Sequence, residues 1–346
     1  MARNLEDGRK VTIHDIAHRA GVSVATVSRV INGQTGVGAA TRARLEKMFD
    51  ELGFSANLQA QQLATGRSRL IGVVFPAEIS KVVLHPVYPA LLGAIGDAAN
   101  ERGHAVLLAT TSGGIDKTID VLARHSVDGI ILPAAGKDDP LLDALGTIDA
   151  AAVLIGHRSD DPKLRWVDSD HDTAAYKLTR HLIDSGRRRL VHLGGPLEIS
   201  AANLRVEGFS AAVAERQAEL EFSRIDRVPF DSEQAAVRAR QILTDPAGPP
   251  DALICGSDLI ASGVLFAARE LGISVPDNLA VTGFDDLDLA SHTNPPLTSV
   301  RMPLRELGTA AVALLLDQPS ASPPHSVLLE TEILYRGSTE PAQTHP

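Results

Sequence analysis

Arg29, with Val24, Ala25 and Ser28, points outward from a short predicted helix near the start of the chain. A guanidinium can hold guanine through a bidentate contact, while valine and alanine offer only apolar contact, for instance to a thymine methyl. Such base reading needs an element that lays one helix in the major groove while a second braces it. Residues 11–32, VTIHDIAHRAGVSVATVSRVIN, supply that element as two short helices joined by a tight turn at Gly21. A residue without Cβ makes that turn at low cost.

The local pattern supports the two helices and adds a third. Thr12 can cap the first helix, with Asp15 completing an approximate capping box. Ile13, Ile16, Ala17 and Ala20 form one apolar face, Ser23 can cap the second helix, and Val27, Val30 and Ile31 face inward. A third helix is expected from about Thr41 to Leu52, buried through Leu45, Met48, Phe49 and Leu52. A three-helix bundle that binds nothing is the competing reading, and charge separates the two. The whole chain carries a net charge of −10, yet residues 1–69 hold 10 basic against 6 acidic residues. A basic head on an acidic body fits a head that meets phosphates. Its affinity should then fall steeply with salt.

Other signals are discounted. HDIAH (14–18) imitates a zinc-protease motif, but it carries Asp where that motif has Glu and sits inside the helical head. GVGAAT (36–41) follows no strand and lacks dinucleotide or phosphate-loop spacing. RRR (187–189) reads as a solvated turn, and no Ser–His–Asp or Cys–His set stands out. No catalytic residue, metal site or cofactor is expected.

From Leu70 the pattern changes to α/β. Strands are expected at 70–75, 105–110, 129–133, 151–156, 189–194, 252–257 and 279–284, with a final one at Val327–Tyr335. Helices are expected near 88–102, 115–125, 173–185, 203–218, 231–244 and 258–271. Alternation of this kind argues for parallel sheets covered on both faces, split between two lobes. Ligands of such sheets sit beyond the carboxyl ends of the strands. Here those ends carry Pro76–Glu78, Pro133–Ala135, Gly194–Pro196, Ser257–Asp258 and Asp285–Asp286.

A chain of 346 residues has room for two or three domains. No apolar run is long enough to span a bilayer, MARNLEDGRK lacks a secretory signal, and the single Cys255 excludes an intrachain disulfide framework. A cytoplasmic location, nucleoid-associated when bound to DNA, is expected. A leucine heptad is absent from the C-terminus, so a dimer is the simplest assembly.

The chain resembles the LacI/GalR family of ligand-responsive transcription regulators from about Val11 to Gly337. The head motif carries most of the likeness. AQQLA in the linker, LIGVV, GPL (195–197), RVEGF (205–209), GFDD (283–286) and PPLTSV (295–300) support it. The resemblance implies a helix-turn-helix domain over 1–54, a hinge helix and linker over 55–69, and a two-lobed body over 70–346 like a periplasmic sugar-binding protein. Lobe 1 would comprise about 70–184 and 302–325, and lobe 2 about 185–301 and 326–346.

Roles follow position by position. Val24, Ala25 and Arg29 match the groove-reading positions; Thr12, Ser23, Thr26, Ser28 and Asn32 suit caps or phosphate contacts, which position without specifying. Leu63 matches a leucine wedged into the minor groove, which kinks the duplex. Asn57, Ala60 and Gln61 would line the same hinge helix. Gly38 stands where most members have a capping serine, and Ala56 where many have proline. In the body, Arg205, Phe230 and Asp285 match ligand contacts, Ser257 and Asp258 stand where the family has Asn-Asp, and Tyr88 of HPVY offers an aromatic wall. An arginine and a carboxylate can bracket sugar hydroxyls while a ring stacks on the apolar face.

The implied partners are operator DNA of near-palindromic sequence, a second copy of the chain, and a small effector, sugar-like or alternatively a nucleoside or polyol. No membrane partner is expected. The expected activity is repression of transcription under allosteric control. An enzyme built on the α/β body behind an inherited DNA head is the reading from another class.

Overall fold

The computed structural model describes residues 11–31, 35–54, 68–76, 78–133, 139–145, 150–159, 164–317 and 326–340. Asn32 and the hinge positions Asn57, Ala60, Gln61 and Leu63 lie outside them. The chain divides into two units, 1–69 and 70–346.

In the first unit, α1 (Ile13–Ala20), α2 (Val24–Ile31) and α3 (Ala39–Leu52) enclose Ile16, Ala17, Ala20, Val27, Val30 and Leu45. The capping box forms: the Thr12 amide and hydroxyl donate to Asp15 Oδ2 at 2.8 and 2.7 Å, and the Asp15 amide donates back to Thr12 Oγ1 at 3.4 Å. Gly21 closes α1 with φ +63°. Ser23 accepts from the Thr26 amide at 3.1 Å, and Gly38 takes the N-cap position of α3 with no side-chain bond. Arg44 pins α3 to the end of α1 by donating to the Ala20 carbonyl at 2.9 Å. Thr12→Ala should lower the melting stability of the head by about 1 kcal/mol. Chemical denaturation of the isolated 1–69 segment beside its variant checks this, and an unchanged midpoint would show the box to be idle.

The second unit holds a six-stranded parallel sheet in the order β11-β5-β4-β3-β1-β2 and a four-stranded parallel sheet in the order β7-β6-β8-β9. The strands of the first are β1 (Leu70–Phe75), β2 (Ala105–Thr110), β3 (Gly129–Pro133), β4 (Ala151–Ile155), β5 (Arg165–Ser169) and β11 (Ser326–Leu329). Those of the second are β6 (Arg189–Gly194), β7 (Phe222–Arg227), β8 (Ala252–Cys255) and β9 (Ala280–Thr282). A short antiparallel pair joins β10 (Ser299–Arg301) to β12 (Glu332–Leu334).

The helices are α4 (Ile79–Leu84), α5 (Val87–Glu101), α6 (Ile115–His125), α7 (Pro140–Leu145), α8 (His171–Asp184), α9 (Ser200–Glu215), α10 (Ser232–Leu243), α11 (Asp258–Glu270), α12 (Asp288–His292) and α13 (Leu304–Leu316). Both sheets are covered on both faces, which is why inner strands such as β1, β3, β4 and β8 read as unbroken apolar runs. Along β1, Val73 and Phe75 pack with α5 and α13, while Val74 packs on the opposite face with Leu122 of α6. In the second lobe, Leu193 and Leu253 pack with α10 and α11, and Leu190 and Ile254 with α8 and α9. Glycines allow the helix pairs to close up. A Cβ on Gly208 would lie 2.1 Å from the Asp172 carbonyl oxygen, and one on Gly263 would lie 2.2 Å from that of Ser232.

Three expectations change. The strand expected over 327–335 is two strands on different sheets: β11 pairs with β5, so 326–329 joins the first lobe, and only β12 goes with the second. Helix α8, expected in the first lobe, packs in the second, where Leu182 and Ile183 meet Phe209. The RRR run is half-buried rather than a freely solvated turn. Arg187 donates to the Pro276 and Asp277 carbonyls, Arg188 to Ile183, and Arg189 to Ala247, Gly248 and Pro249, so the run binds loops at one end of the second lobe.

His192 on β6 is buried, stacked on Phe209, and neither ring nitrogen has a partner. Burial, then the charges of Arg227 and Arg205, hold its pKa down to about 3. An unfolded histidine takes up a proton near pH 6.5. This group therefore stabilises the fold fully above pH 6.5, and the contribution declines by about 1.4 kcal/mol per pH unit as pH falls toward 3. His192→Gln should flatten the acid limb of stability against pH by one proton, as denaturant midpoints between pH 7.5 and 5 would show. Parallel limbs would assign the acid sensitivity elsewhere.

Candidate functional site

The carboxyl ends of the strands and the starts of α5, α8 and α9 face one cleft that is partly open to solvent. Of the residues singled out from sequence, Tyr88, Arg205, Phe230 and Asp285 line it together. Ser257 and Asp258 do not line it.

Arg205 comes from α9 and Asp285 from the loop after β9. Arg205 Nη2 donates to Asp285 Oδ1 at 3.3 Å, Nη1 donates to the Gly256 carbonyl, and the guanidinium lies 3.8 Å above the centre of the Phe284 ring. Both residues are about 95% buried, with exposures of 5% and 6%. Burial raises the Asp285 carboxyl above its usual range, against the pull of Arg205. Asp285 and Asp286 follow one another at φ +111° and +53°. This is sparsely populated backbone that persists only when neighbours fix it. The fixing comes from the Asp285 amide donating to the Val300 carbonyl at 2.8 Å, and from Asp286 pairing with Arg301 at 2.8 Å and Arg336 at 2.6 Å.

Ser257 caps α11, accepting from the Ile260 amide at 3.2 Å. Asp258 holds loops in place: it accepts from the Leu287 amide at 2.7 Å and from the Ser299 hydroxyl at 2.6 Å. Its carboxylate fills the space beside Gly283, where a Cβ would lie 2.1 Å away. Burial, then the charge of Asp285, raises its carboxyl. The Ser-Asp pair thus sits at a helix start that a capping rule would also have predicted.

The aromatic wall is larger than sequence suggested. Tyr88 packs edge-on against Phe75 at 5.1 Å and beside His85 at 4.8 Å, and His85 meets Phe230 edge-on at 5.7 Å. Phe230 in turn lies against Gly195, whose Cβ would come within 2.3 Å of the ring. His85, Asp168, His171, Ile199 and Met302 also line the cleft and were not foreseen. Asp168 is the next-to-last residue of β5 and His171 starts α8. Asp168 accepts from Arg158 Nε at 3.0 Å and lies 3.1 Å from His171 Nε2, while Arg205 Nε donates to His171 Nδ1 at 3.4 Å. Burial lowers the His171 pKa more than Asp168 raises it, so the ring is neutral. Burial would raise Asp168, but His171 and Arg158 outweigh it and the carboxyl stays ionised.

In the head, Ala25 and Arg29 stand exposed on α2. Val24 is half-buried against the core rather than fully outward. Thr26 and Ser28 are half-buried, and the Ser23 and Thr26 hydroxyls lie 2.8 Å apart. His14 and His18 of the zinc-like motif lie on the exposed side of α1, and no group of metal-ligating side chains forms among the described residues.

A helix-turn-helix unit followed by a two-lobed α/β body with a cleft at the strand ends defines a DNA-binding regulator with a sensor. Residues 12–57 match the model of bacterial regulatory proteins of the lacI family, and residues 179–339 match the periplasmic binding protein-like domain. The regulator CelR of Thermobifida fusca is 32% identical over 340 residues, covering 96% of this chain and all of that protein. MalR of Streptomyces coelicolor is 34% identical over 344 residues, covering 95% and 96%. Among solved structures, a lac repressor dimer bound to operator and an anti-inducer superposes with a TM-score of 0.83 at 28% identity, covering 96% of this chain and 99% of that one. A CelR–cellobiose complex does so with 0.72 at 30% identity, covering 95% and 100%. The chain belongs to the lacI family of bacterial regulatory proteins. It is a DNA-binding transcriptional regulator with a ligand-binding sensor domain, and not an enzyme. Among the described residues no helix is long and apolar enough to cross a membrane.

Proposed function

We propose that this regulator represses transcription as a homodimer on a near-palindromic operator, and that a carbohydrate in the cleft between the lobes controls it. The observation that carries the reading is the buried Arg205–Asp285 pair facing the rings of Tyr88 and Phe230. Charged groups that bracket hydroxyls, with rings that stack on apolar faces, suit a pyranose. The similar proteins named for cellobiose and for the lac operator agree with it. In the head, Arg29 reads guanine, Val24 and Ala25 limit the remaining contacts, and the capped starts of α1 and α2 meet phosphate. Leu63 and its neighbours Asn57, Ala60 and Gln61 form the hinge contact with DNA. Ligand and operator then bias one equilibrium with a coupling of about 1–3 kcal/mol.

The test selects bound sites from random duplex DNA with the full chain. It then measures affinity for the selected site with and without cellobiose, maltose, adenosine or sorbitol. The reading expects inverted half-sites, two protomers per site, and a 5- to 150-fold change with a sugar, roughly the stated coupling. One protomer on an asymmetric site would refute the dimer. A response to adenosine or sorbitol alone would hand the cleft to a nucleoside or polyol.

A further inference from the structure

We infer that His85 reads a hydroxyl of an uncharged effector, so that the cleft accepts a neutral sugar and refuses its phosphorylated or carboxylated form. The inference rests on the carbohydrate reading above and goes beyond it to ligand charge and to one residue.

Two observations carry it. The first is the charge inventory. Arg205 is the sole Lys or Arg among the described lining residues, and its guanidinium is already committed on three sides, to His171, Gly256 and Asp285. Two carboxyl groups, Asp168 and Asp285, line the same space. The start of α9 opens on the cleft at Ile199 and Ala201, and no side chain caps it. A helix start contributes about half a positive charge. The starts of α5 and α8 face the cleft as well, and each can meet a hydroxyl oxygen, but none supplies the full charge of a counter-ion. Asp168 is already paired with Arg158 at 3.0 Å and Asp285 with Arg205 at 3.3 Å, so among the described residues an anion would find the nearby cations taken, losing hydration without gaining a counter-ion.

The second observation is His85 itself. Its ring sits between Tyr88 and Phe230, lines the cleft, and keeps both Nδ1 and Nε2 out of water without a hydrogen-bond partner. Leaving a buried polar atom unmatched costs its full desolvation penalty. That cost is recovered when a ligand supplies the partner. Burial and the charge of Arg205 hold the imidazole neutral, with a pKa near 4. A neutral imidazole has one donor and one acceptor, the complement of a hydroxyl, and no charge with which to hold a phosphate.

The experiment measures binding to the full chain by thermal shift and calorimetry. The probes are cellobiose, maltose and glucose, beside glucose 6-phosphate and glucuronate. The neutral sugars should include a binder, and the two anions should leave the melting temperature unmoved at the same concentrations. His85→Phe keeps the ring packing and removes both nitrogens, so it should weaken the bound sugar about tenfold. His85→Gln keeps one donor and one acceptor and should stay within about threefold of wild type. Unchanged affinity in His85→Phe would overturn the role of His85. Binding of either anion as tightly as glucose would overturn the charge selection, whatever the variants do. Silence from every sugar in the wild type would instead strike at the carbohydrate reading beneath it.

Discussion

Arg205→Met is expected to abolish the effector response and to cost the sensor body about 3–5 kcal/mol, the range for breaking a buried ion pair from one side. The partner left behind is Asp285, which burial already pushes toward its protonated form. Protonation limits the loss, so the deficit should shrink as pH falls. Asp285→Asn in the same chain removes the stranded charge, and the double variant should be more stable than the sum of the single losses predicts. The head has its own core in a separate unit, so affinity for operator without effector should persist. Denaturant titrations of the two single variants and the double variant, run with operator binding, decide the matter. Additive losses would mean that the pair does not act as a pair. A retained effector response in Arg205→Met would remove it from the site.

Arg29→Ala carries the other large effect. A bidentate arginine–guanine contact gives about 1–3 kcal/mol of discrimination. Two heads on a two-fold site then lose about 2–6 kcal/mol in specific binding. Nonspecific affinity should change little, and changing the contacted base pair should cost the variant nothing further. Arg29→Lys should not restore the contact, because an ammonium lacks the planar fork. An equal loss on specific and random DNA would make Arg29 a phosphate contact instead.

Much of this molecule is written locally. Apolar spacing and small cap residues place α1, α2 and α3, and the short branched runs place β1, β2, β3 and β6 at the bounds expected for them. Strands β5 and β7 escaped because their sequences, RWVDS and FSRIDR, are too polar to look buried. β7 is an edge strand whose residues stay half-exposed or exposed, and β5 ends in Asp168 and Ser169, buried because the cleft and its ion pairs lie there. The cleft was legible in part. Charged residues at strand ends pointed to Asp285, and RVEGF pointed to Arg205. Ser257 and Asp258 share that position in the chain but turn inward, one to cap a helix and the other to hold the Asp285–Leu287 loop. His85, Asp168 and His171 belong to the site only because segments far apart in sequence converge there. HPVY at least marked the neighbourhood of His85.

The split between β11 and β12 bears on how such regulators diversify. Glu330 and Thr331 separate a strand of one lobe from a strand of the other, and each lobe is assembled from pieces of chain interleaved with the other's. No single cut in the gene releases either lobe intact, so a crossover within the body mixes halves of two sensors and spoils both cores. The head is one unbroken segment ending at residue 69. Recombination can therefore give an existing sensor a new DNA address in one event, while a new ligand preference has to accumulate residue by residue around the cleft.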